Sequence, residues 1–77
     1  MNKITLKDLP VGKNAVIRKL CNSEDMRRRL FDLGFAPKSS VTCAFSAPMG
    51  DPKAYVIKGT VIALREEDSS LILVTPV

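Results

Sequence analysis

The residue types that most often do chemistry in proteins are sparse in this chain. Among its 77 residues there is no histidine, and there are only two cysteines, Cys21 and Cys43. Without histidine, the Ser-His-Asp and Cys-His arrangements are excluded, together with the commonest general base and transition-metal ligand. The cysteines form neither a Cys-x-x-Cys motif nor a zinc spacing. We therefore expect no intrinsic enzyme activity, no bound metal and no cofactor.

The arginine triplet Arg27, Arg28 and Arg29 is the strongest candidate for a phosphate or nucleic-acid site. Three acids lie in the same predicted helix, and pairs such as Glu24 with Arg28 are spaced i,i+4. Each such pair contributes about 0.2–0.5 kcal/mol. The helix is therefore neutral, and a salt-bridged, solvated face is the favoured interpretation. Arg27 is the least well paired of the three, having only Glu24 at i−3.

Acidic residues cluster at Glu66, Glu67 and Asp68. A divalent cation needs several oxygen ligands that converge on it, and adjacent residues converge only in a special loop geometry. A solvated acidic turn, with no more than a single helical turn, is therefore favoured over a metal site. Asp51 lies between a glycine and a proline and is interpreted as a turn residue. The four glycines are too scattered to form a phosphate-binding loop.

Two apolar residues are candidates for protein binding. Phe31 falls outside the apolar stripe of the predicted helix, so it is either part of a wide buried face or an exposed anchor beside Arg27. Met49 lies in a loop, residues 48–52, that a proline stiffens at each end. Its side chain either folds back onto the protein or is offered to a partner. The sequence leaves both alternatives open.

The elements that must position these residues follow from periodicity and turn signals. Ser23 is a predicted N-cap, the helix runs to Leu33, and Gly34 ends it in the left-handed conformation. Turn residues bound several short segments rich in β-branched residues. The predicted strands cover residues 15–20, 40–47, 53–58, 60–64 and 71–74. Five short strands and one helix indicate a small barrel or sandwich.

Alternation and helical spacing also predict which side chains are buried. Met26, Leu30 and Leu33 fall at i, i+4 and i+7 and are expected to form one buried stripe. Strict alternation along residues 40–47 places Phe45 in the core beside Cys43. Gly59 is either a tight-turn residue or a bulge.

The composition limits the architecture and the partners. Seventy-seven residues are enough for one domain, predicted to cover residues 1–77, and leave little room for a deep pocket. The net charge of +4 permits an acidic or nucleic-acid partner. The chain lacks the roughly 20-residue apolar run of a membrane span, and its N-terminus lacks the apolar stretch of a secretory signal. We therefore expect a cytoplasmic protein without membrane insertion, in which small buried free thiols are favoured over a disulfide.

Several segments match one pattern together. They are, in chain order, Leu6-x-x-Leu9-Pro10-x-Gly12, Met26-Arg27-Arg28-Arg29-Leu30-x-x-Leu33-Gly34-Phe35-x-Pro37, Ala47-Pro48-x-Gly50-Asp51-Pro52 and Gly59-x-x-Ile62-Ala63-Leu64-Arg65. With these motifs the chain resembles the ferrous iron transport protein A (FeoA) family over residues 6–74. One departure is Lys38, which stands where the family often has glycine, and it leaves the geometry of that turn open.

The resemblance implies a mostly β fold, a small SH3-like β-barrel of about five strands with one short helix inserted after the first barrel strand. It also implies a cytosolic accessory role beside the membrane ferrous iron transporter FeoB, whose cytosolic part carries a GTPase domain. The family has no established catalytic residues, so it assigns none here. A role in iron transport does not require this chain to bind Fe(II). A chain without histidine offers poor ligands for that ion.

The favoured hypothesis is a non-catalytic protein that binds the cytosolic part of FeoB and supports or regulates Fe(II) uptake. The predicted partner-binding residues are Arg27, Phe31, Pro48, Met49 and Gly50. One alternative is a small SH3-like nucleic-acid-binding module, which requires exposed aromatics on a strand face. A further alternative is a GTPase-activating partner that supplies Arg27 in trans. Self-association and the direction of regulation stay open.

Overall fold

The computed structural model describes residues 3–77, which form six strands, two helices and a 3₁₀ turn. The short strand at the N-terminal end is one more than the sequence predicted. The strands are β1 (Ile4–Thr5), β2 (Asn14–Leu20), β3 (Ser40–Ser46), β4 (Lys53–Ile57), β5 (Thr60–Leu64) and β6 (Ile72–Pro76). The helices are α1 (Glu24–Leu33) and α2 (Glu66–Ser69), and the 3₁₀ turn is Leu6–Asp8. Helix α1, which corresponds to the one helix predicted from the sequence, lies between β2 and β3, as expected.

All six strands belong to one sheet in the order β1-β6-β2-β3-β4-β5, and every neighbouring pair is antiparallel. The register shifts between Ile17 and Lys19 in β2 and between Cys43 and Phe45 in β3. Such bulges bend a strand and increase its twist, and this lets a small sheet curl around its own core. Residues 3–77 show no pairing between β1 and β5, so the sheet is barrel-like and stays open at that side.

The core fills the concave face of this sheet. Each strand contributes alternate residues to it, and the loop after α1 contributes Phe35. The largest fully buried side chains are Tyr55, Phe35, Leu6, Leu9, Ile17, Leu30, Ile57 and Ile72. The 3₁₀ turn and α1 both bury residues in this core, Leu6 and Leu30 respectively, and so help to cover the concave face.

The prediction that Phe45 lies in the core is wrong. Val41 and Cys43 are buried as alternation requires, but the bulge at Ala44 shifts the phase, and Phe45 is 58% exposed. Phe45 is paired with Ala54 on the outer face of β4. One extra residue in an antiparallel strand moves every later side chain to the opposite face, so strict alternation failed beyond Cys43.

Helix α1 has the predicted bounds and caps. The Oγ of Ser23 accepts a hydrogen bond from the Met26 N–H at 3.3 Å. Gly34 has φ +105°, and the Phe35 N–H behind it donates to the Leu30 carbonyl at 2.8 Å. Glycine suits this end because side-chain-bearing residues pay about 1–2 kcal/mol in the left-handed region.

The predicted buried stripe of α1 is only partly correct. Leu30 is fully buried and Met26 is half-buried, but Leu33 is 45% exposed. Leu33 lies about 60° around the helix from Leu30 and in the last turn. The chain then reverses at Gly34 and brings Phe35 into the core, so a residue beyond the helix is buried and Leu33 is not.

Two turns that the sequence left open are defined in the structure. Ile57 pairs with Thr60, so Lys58 and Gly59 form a two-residue turn, with φ +49° and +79° respectively. Two positive φ values in a two-residue hairpin are typical of a type I′ turn, and Gly59 is therefore a turn residue. Lys38 has φ +76°, which is the glycine-like backbone conformation.

Tyr55 joins the sheet to the 3₁₀ turn. Its ring is fully buried, and its hydroxyl donates to the Leu6 carbonyl at 3.3 Å. Burial raises the pKa of Tyr55 to about 12, because the phenolate would lose its hydration. The neutral hydroxyl is therefore the form that the fold requires.

Tyr55 is the only tyrosine, so its ionisation can be followed directly by tyrosinate absorbance. We expect a midpoint well above pH 10 in the folded chain, and near pH 10 in denaturant. Because the folded pKa is raised, this stabilisation is complete below about pH 10 and is lost as the pH rises towards about 12. In Tyr55→Phe the stability should depend less on pH in that window. A folded-state midpoint near 10 would contradict the assignment.

Candidate docking surface

The outer side of α1 carries an open depression lined by Glu24, Arg27, Arg28, Phe31 and Asp32. Phe31 is 50% exposed, so the structure places it outside the core, on the outer side of the helix. Among the i,i+4 pairs predicted on this helix, the structure shows Arg28 with Glu24, at 3.6 Å. Within residues 3–77, Arg27 makes no ion pair. The depression thus combines an aromatic ring with an available guanidinium group.

The loop between β3 and β4 carries the other predicted binding residues. Pro48, Met49 and Gly50 are exposed, and Met49 at 92% is the most exposed large apolar residue described. The loop is closed at its base by the Ala47 N–H, which donates to the Pro52 carbonyl at 3.0 Å. The Gly50 N–H donates to the Ala47 carbonyl at 2.8 Å. Met49 therefore does not fold back onto the sheet, and the loop presents it in a fixed turn.

Asp51 fastens this loop to α2. Its Oδ1 accepts a hydrogen bond from the Glu66 N–H at 2.9 Å, which is the role of an N-cap, although Asp51 comes from a different part of the chain. The residue at the usual cap position, Arg65, makes no side-chain cap. The sequence interpretation of Asp51 as a turn residue missed this contact, because an N-cap from another loop leaves no local spacing signal.

Lys53 fastens the same region to the 3₁₀ turn. Its Nζ donates to the carbonyls of Lys7 at 2.7 Å and of Leu9 at 3.1 Å. The Lys7 Nζ lies 3.5 Å from a carboxylate oxygen of Glu66. A cavity of about 240 Å³ lies between these groups. It is smaller than the roughly 300–1,000 Å³ typical of ligand pockets, and Lys53 already spends two donors on backbone carbonyls. This region therefore forms the structural base of the β3–β4 loop.

The five predicted binding residues fall into two patches. Arg27 and Phe31 line the helix depression, whereas Pro48, Met49 and Gly50 form the tip of the β3–β4 hairpin. The C-terminal end of α1 packs by the β4–β5 turn, where a Cβ on Gly34 would lie 3.3 Å from the Lys58 side chain. That turn and the β3–β4 loop are at opposite ends of β4, about 13 Å apart along the strand.

An apolar patch on the convex side of the sheet was missed from the sequence. Phe45 and Val61 are exposed there, beside Ala54, Val56 and Ala63 on paired positions of β4 and β5. The bulge at Ala44 hid the contribution of Phe45. A signal was available in β5, where successive residues are apolar on both faces, a pattern unlike that of a strand with one solvated face.

The two cysteines are free thiols in different surroundings. Cys43 is buried, and burial raises the pKa of its thiol despite the opposing effect of the nearby Lys53 ammonium. Cys21 is exposed. The expectation of a buried free thiol is met by Cys43 and not by Cys21. In residues 3–77 no group of three or more Cys, Asp or Glu side chains is placed so that it could hold a metal ion.

A family model described as FeoA domain matches residues 4–76. The chain belongs to the FeoA family. It is 33% identical over 67 residues to a FeoA/FeoB fusion protein, described as an Fe(2+) transport protein A and Fe(2+) transporter FeoB, from Porphyromonas gingivalis. The match covers 87% of this chain and 8% of that fusion protein, so FeoA-like sequence is a small part of it.

Solved structures of FeoA proteins have the same fold. The solution structure of FeoA from Chlorobium tepidum superposes with a TM-score of 0.92 at 27% identity, covering 96% of this chain and 70% of that one. The crystal structure of Stenotrophomonas maltophilia FeoA, solved with zinc and described as an SH3 domain protein, gives a TM-score of 0.77 at 29% identity. It covers 92% of this chain and 88% of that one. These matches confirm the expected family and the SH3-like, mostly β fold.

The family is linked to ferrous iron transport, which the descriptions of the Porphyromonas gingivalis relative and of the Stenotrophomonas maltophilia structure mention. In the part of the chain that the structure describes, no helix is both long enough and apolar enough to cross a membrane.

The cap that Asp51 provides can be tested by stability. Asp51→Ala removes the acceptor for the Glu66 N–H and should lower the free energy of unfolding by about 1 kcal/mol, as the loss of an N-cap does. Asp51→Asn keeps an acceptor oxygen and is the matched control, which should retain most of the stability. Thermal unfolding measures both. Equal losses in the two variants would show that charge, and not the hydrogen bond, accounts for the effect.

Proposed function

We propose that this chain is a non-catalytic cytoplasmic accessory protein that binds the cytosolic part of a FeoB-type transporter and so supports or regulates Fe(II) uptake. In this role Fe(II) is the transporter's cargo and the chain needs no cofactor of its own. The observation that carries the proposal is the exposure of Met49 at the tip of a loop braced at its base.

The bracing matters because binding costs less when the contact surface is already ordered. The loop is held by two side chains: Asp51, which bonds to the first residue of α2, and Lys53, which bonds to the 3₁₀ turn. Met49 therefore loses little backbone freedom on docking. Burying a Met or Phe side chain contributes about 1.5–3 kcal/mol. Phe31 on α1 adds a second anchor, and Arg27 beside it can pair with a partner's carboxylate.

The fusion protein from Porphyromonas gingivalis supports the choice of partner. In it a FeoA and a FeoB are parts of one polypeptide. Linking two proteins raises the effective concentration of one at the other, which is useful when the two work in contact. The relative thus supports pairing of this chain with a FeoB-type protein, and the two exposed patches supply surfaces on which that pairing can occur.

The proposed surface is tested by titrating the chain against the purified cytosolic part of a FeoB-type transporter. The double variant Phe31→Ala/Met49→Ala should bind at least about thirtyfold more weakly, because two anchors of about 1–2 kcal/mol each are removed. Val77→Ala also removes exposed apolar surface and should bind like the wild type. Unchanged binding by the double variant would show that the surface is wrong. No binding by the wild type would remove the hypothesis.

A GTP-hydrolysis assay with the same two proteins separates binding from activation. The resemblance implies a GTPase domain in the transporter, and Arg27 has no ion pair within residues 3–77. If the chain acts as an activating partner, GTP hydrolysis rises on its addition and the rise is lost in Arg27→Ala. If the chain binds but the rate of GTP hydrolysis does not change, the chain is an adaptor without GTPase-activating activity.

Nucleic-acid binding is a second candidate, favoured by one observation. Phe45 is exposed on a strand face, where a base could stack, and the chain carries a net charge of +4. On the β4 side of Phe45, the neighbouring residues on that face are Ala54 and Ala63, which supply no charge for phosphates. We expect no steeply salt-dependent affinity for single-stranded RNA or DNA in a filter-binding assay. Such an affinity, lost in Phe45→Ala, would favour this candidate.

A further inference from the structure

Strand β5 lies at one edge of the sheet, on the side where the barrel is open. All five of its residues pair with β4, and within residues 3–77 no strand pairs with its other edge. Natural sheets protect such edges with very short strands, with lysine or with proline. The opposite edge strand, β1, is only two residues long, whereas β5 has five residues and contains neither lysine nor proline. The edge of β5 is therefore able to pair with another strand.

The two-residue turn before β5 determines which of its backbone groups point outwards. Ile57 and Thr60 close the hairpin as a hydrogen-bonded pair, and such pairs alternate along an antiparallel ladder. Ile62 is therefore bonded to β4, whereas the N–H and C=O groups of Val61 and Ala63 point away from β4. In the part of the chain that the structure describes, no backbone group of β5 makes a hydrogen bond outside the β4–β5 ladder.

The side chains of β5 leave apolar surface exposed on both faces of the sheet. Val61 is 59% exposed and Ala63 is also exposed, and both lie on the convex face. Ile62 points to the concave face and packs against the core, but at this open edge it is only half-buried. A strand added to the edge would cover Val61 on one face and Ile62 on the other.

The two ends of β5 carry opposite charge. Lys58, in the turn before β5, is exposed and makes no ion pair within residues 3–77. The segment 65–68, which follows β5, contains one arginine and three acids and is net negative. An edge that is positive at one end and negative at the other is complementary to a second copy of itself that runs antiparallel. A parallel copy would set each end against its like, which is unfavourable.

A two-fold axis at Ile62 satisfies the backbone, the apolar surface and the charge together. It sets Val61 opposite Ala63 of the second copy, so the outward-pointing groups of both residues bond across the contact, once on each side of the axis. The two Ile62 side chains then lie opposite each other on the concave face and cover one another. Lys58 lies across from Glu66 of the second copy, and this pair also occurs twice.

Glu66 is accessible for such a contact. Its side chain is 64% exposed, and its ion pair with Lys7, at 3.5 Å, uses one of its two carboxylate oxygens. The neighbouring antiparallel registers are less favourable. A two-fold axis at Val61 would set Lys58 against Leu64, which gives no charge pair. An axis at Ala63 would set the apolar Val61 against an arginine.

The self-complementarity of this edge identifies its occupant. A uniformly acidic or uniformly basic segment would match one end of β5 and be repelled by the other, whereas a second copy matches both ends by symmetry. We propose that two copies of this chain pair antiparallel through β5, about a two-fold axis at Ile62, and join their sheets into one. Because the contact is only five residues long on each copy, the dimer is weak and reversible.

Sedimentation of the wild-type chain alone, over a range of concentrations, tests the proposal directly. We expect a reversible monomer–dimer equilibrium. Where the dimer predominates, the amides of Val61 and Ala63 should exchange hydrogen at least about tenfold more slowly than in the dilute chain, because they gain partners. The Ile62 amide is already bonded to β4 and is the internal control. A chain that is monomeric at about 1 mM, or a dimer without added protection at Val61 and Ala63, would overturn the proposal.

A proline variant tests the backbone contact. Val61→Pro removes one outward donor from each copy, and an edge position of this kind tolerates proline. The dissociation constant of the dimer should rise at least about tenfold, whereas Val61→Thr keeps the donor and the β-branched shape and should change it less than about threefold. Wild-type affinity in a folded Val61→Pro chain would contradict the pairing. If thermal unfolding shows that this variant is not folded, the exchange experiment on the wild type decides.

An exchange of charges tests the register. Lys58→Glu alone and Glu66→Lys alone each set like charges against each other twice in the dimer, so each should weaken self-association at least about tenfold. A mixture of the two variants restores opposite charges at both contacts. The mixed pair should therefore associate within about threefold of the wild-type affinity. A mixture that associates no better than either variant alone would overturn the two-fold axis at Ile62.

The chain offers a matched control for each charge reversal. Lys38→Glu controls for Lys58→Glu, because Lys38 is also exposed, also has a positive φ, and precedes β3, which is two strands away from β5. Asp25→Lys controls for Glu66→Lys, because Asp25 is also an exposed acid in the first turn of a helix. Both control variants should dimerise like the wild type, and losses equal to those of the test variants would overturn the charge pairing.

A different occupant of the edge is also an outcome of these experiments. If the chain alone stays monomeric, and the amides of Val61 and Ala63 gain protection only when the cytosolic part of a FeoB-type transporter is added, the occupant is a segment of that protein and the second copy is wrong. The dimerisation test needs no partner. Its failure therefore leaves the proposed function standing, and the absence of binding to the transporter leaves the dimer standing.

Discussion

The bulge at Ala44 in β3 is the constraint on which the accessible surface of this protein depends. Before it, Val41 and Cys43 face the core; after it, Phe45 faces outwards and Ser46 pairs with Lys53 on the inner side. This phase shift aims Lys53 at the 3₁₀ turn, where its Nζ meets two backbone carbonyls. A continuous β3 would place Phe45 beneath the 3₁₀ turn and would remove the apolar patch from the convex face.

Lys53 and Tyr55 together determine how the N-terminal segment covers the core. They lie two residues apart on β4, so both point inwards, and both donate to carbonyls of the chain between Leu6 and Leu9. These carbonyls lie in a tight turn and lack ladder partners. The Leu6 carbonyl also accepts from the Leu9 N–H at 3.1 Å, whereas burying the Lys7 or Leu9 carbonyl without its donor would cost about 1–3 kcal/mol. The same two side chains therefore satisfy the turn and hold Leu6 and Leu9 in the core.

Local signals were sufficient for the parts of the structure that depend on neighbouring residues. Ser23 and Gly34 fix the ends of α1. The five predicted strands, β2 to β6, begin and end within two residues of the predicted positions. The errors concern Phe45 and Leu33, whose surroundings depend on a register shift and on Phe35 returning to the core. Neither event has a signature within a few residues. For the candidate site, the exposure of Phe31 and Met49 was one of two open alternatives, because exposure depends on packing that no local pattern records.

The exposed apolar residues acquire meaning from their arrangement. A domain of this size cannot bury all of its apolar surface, so isolated exposed residues need no explanation. Phe45 and Val61, however, share one convex face beside an unpaired edge, and Met49 stands on a loop held by three separate contacts. The braced Met49 loop and the convex apolar patch are therefore the outer surfaces on which we propose that binding occurs, whereas the buried residues serve stability.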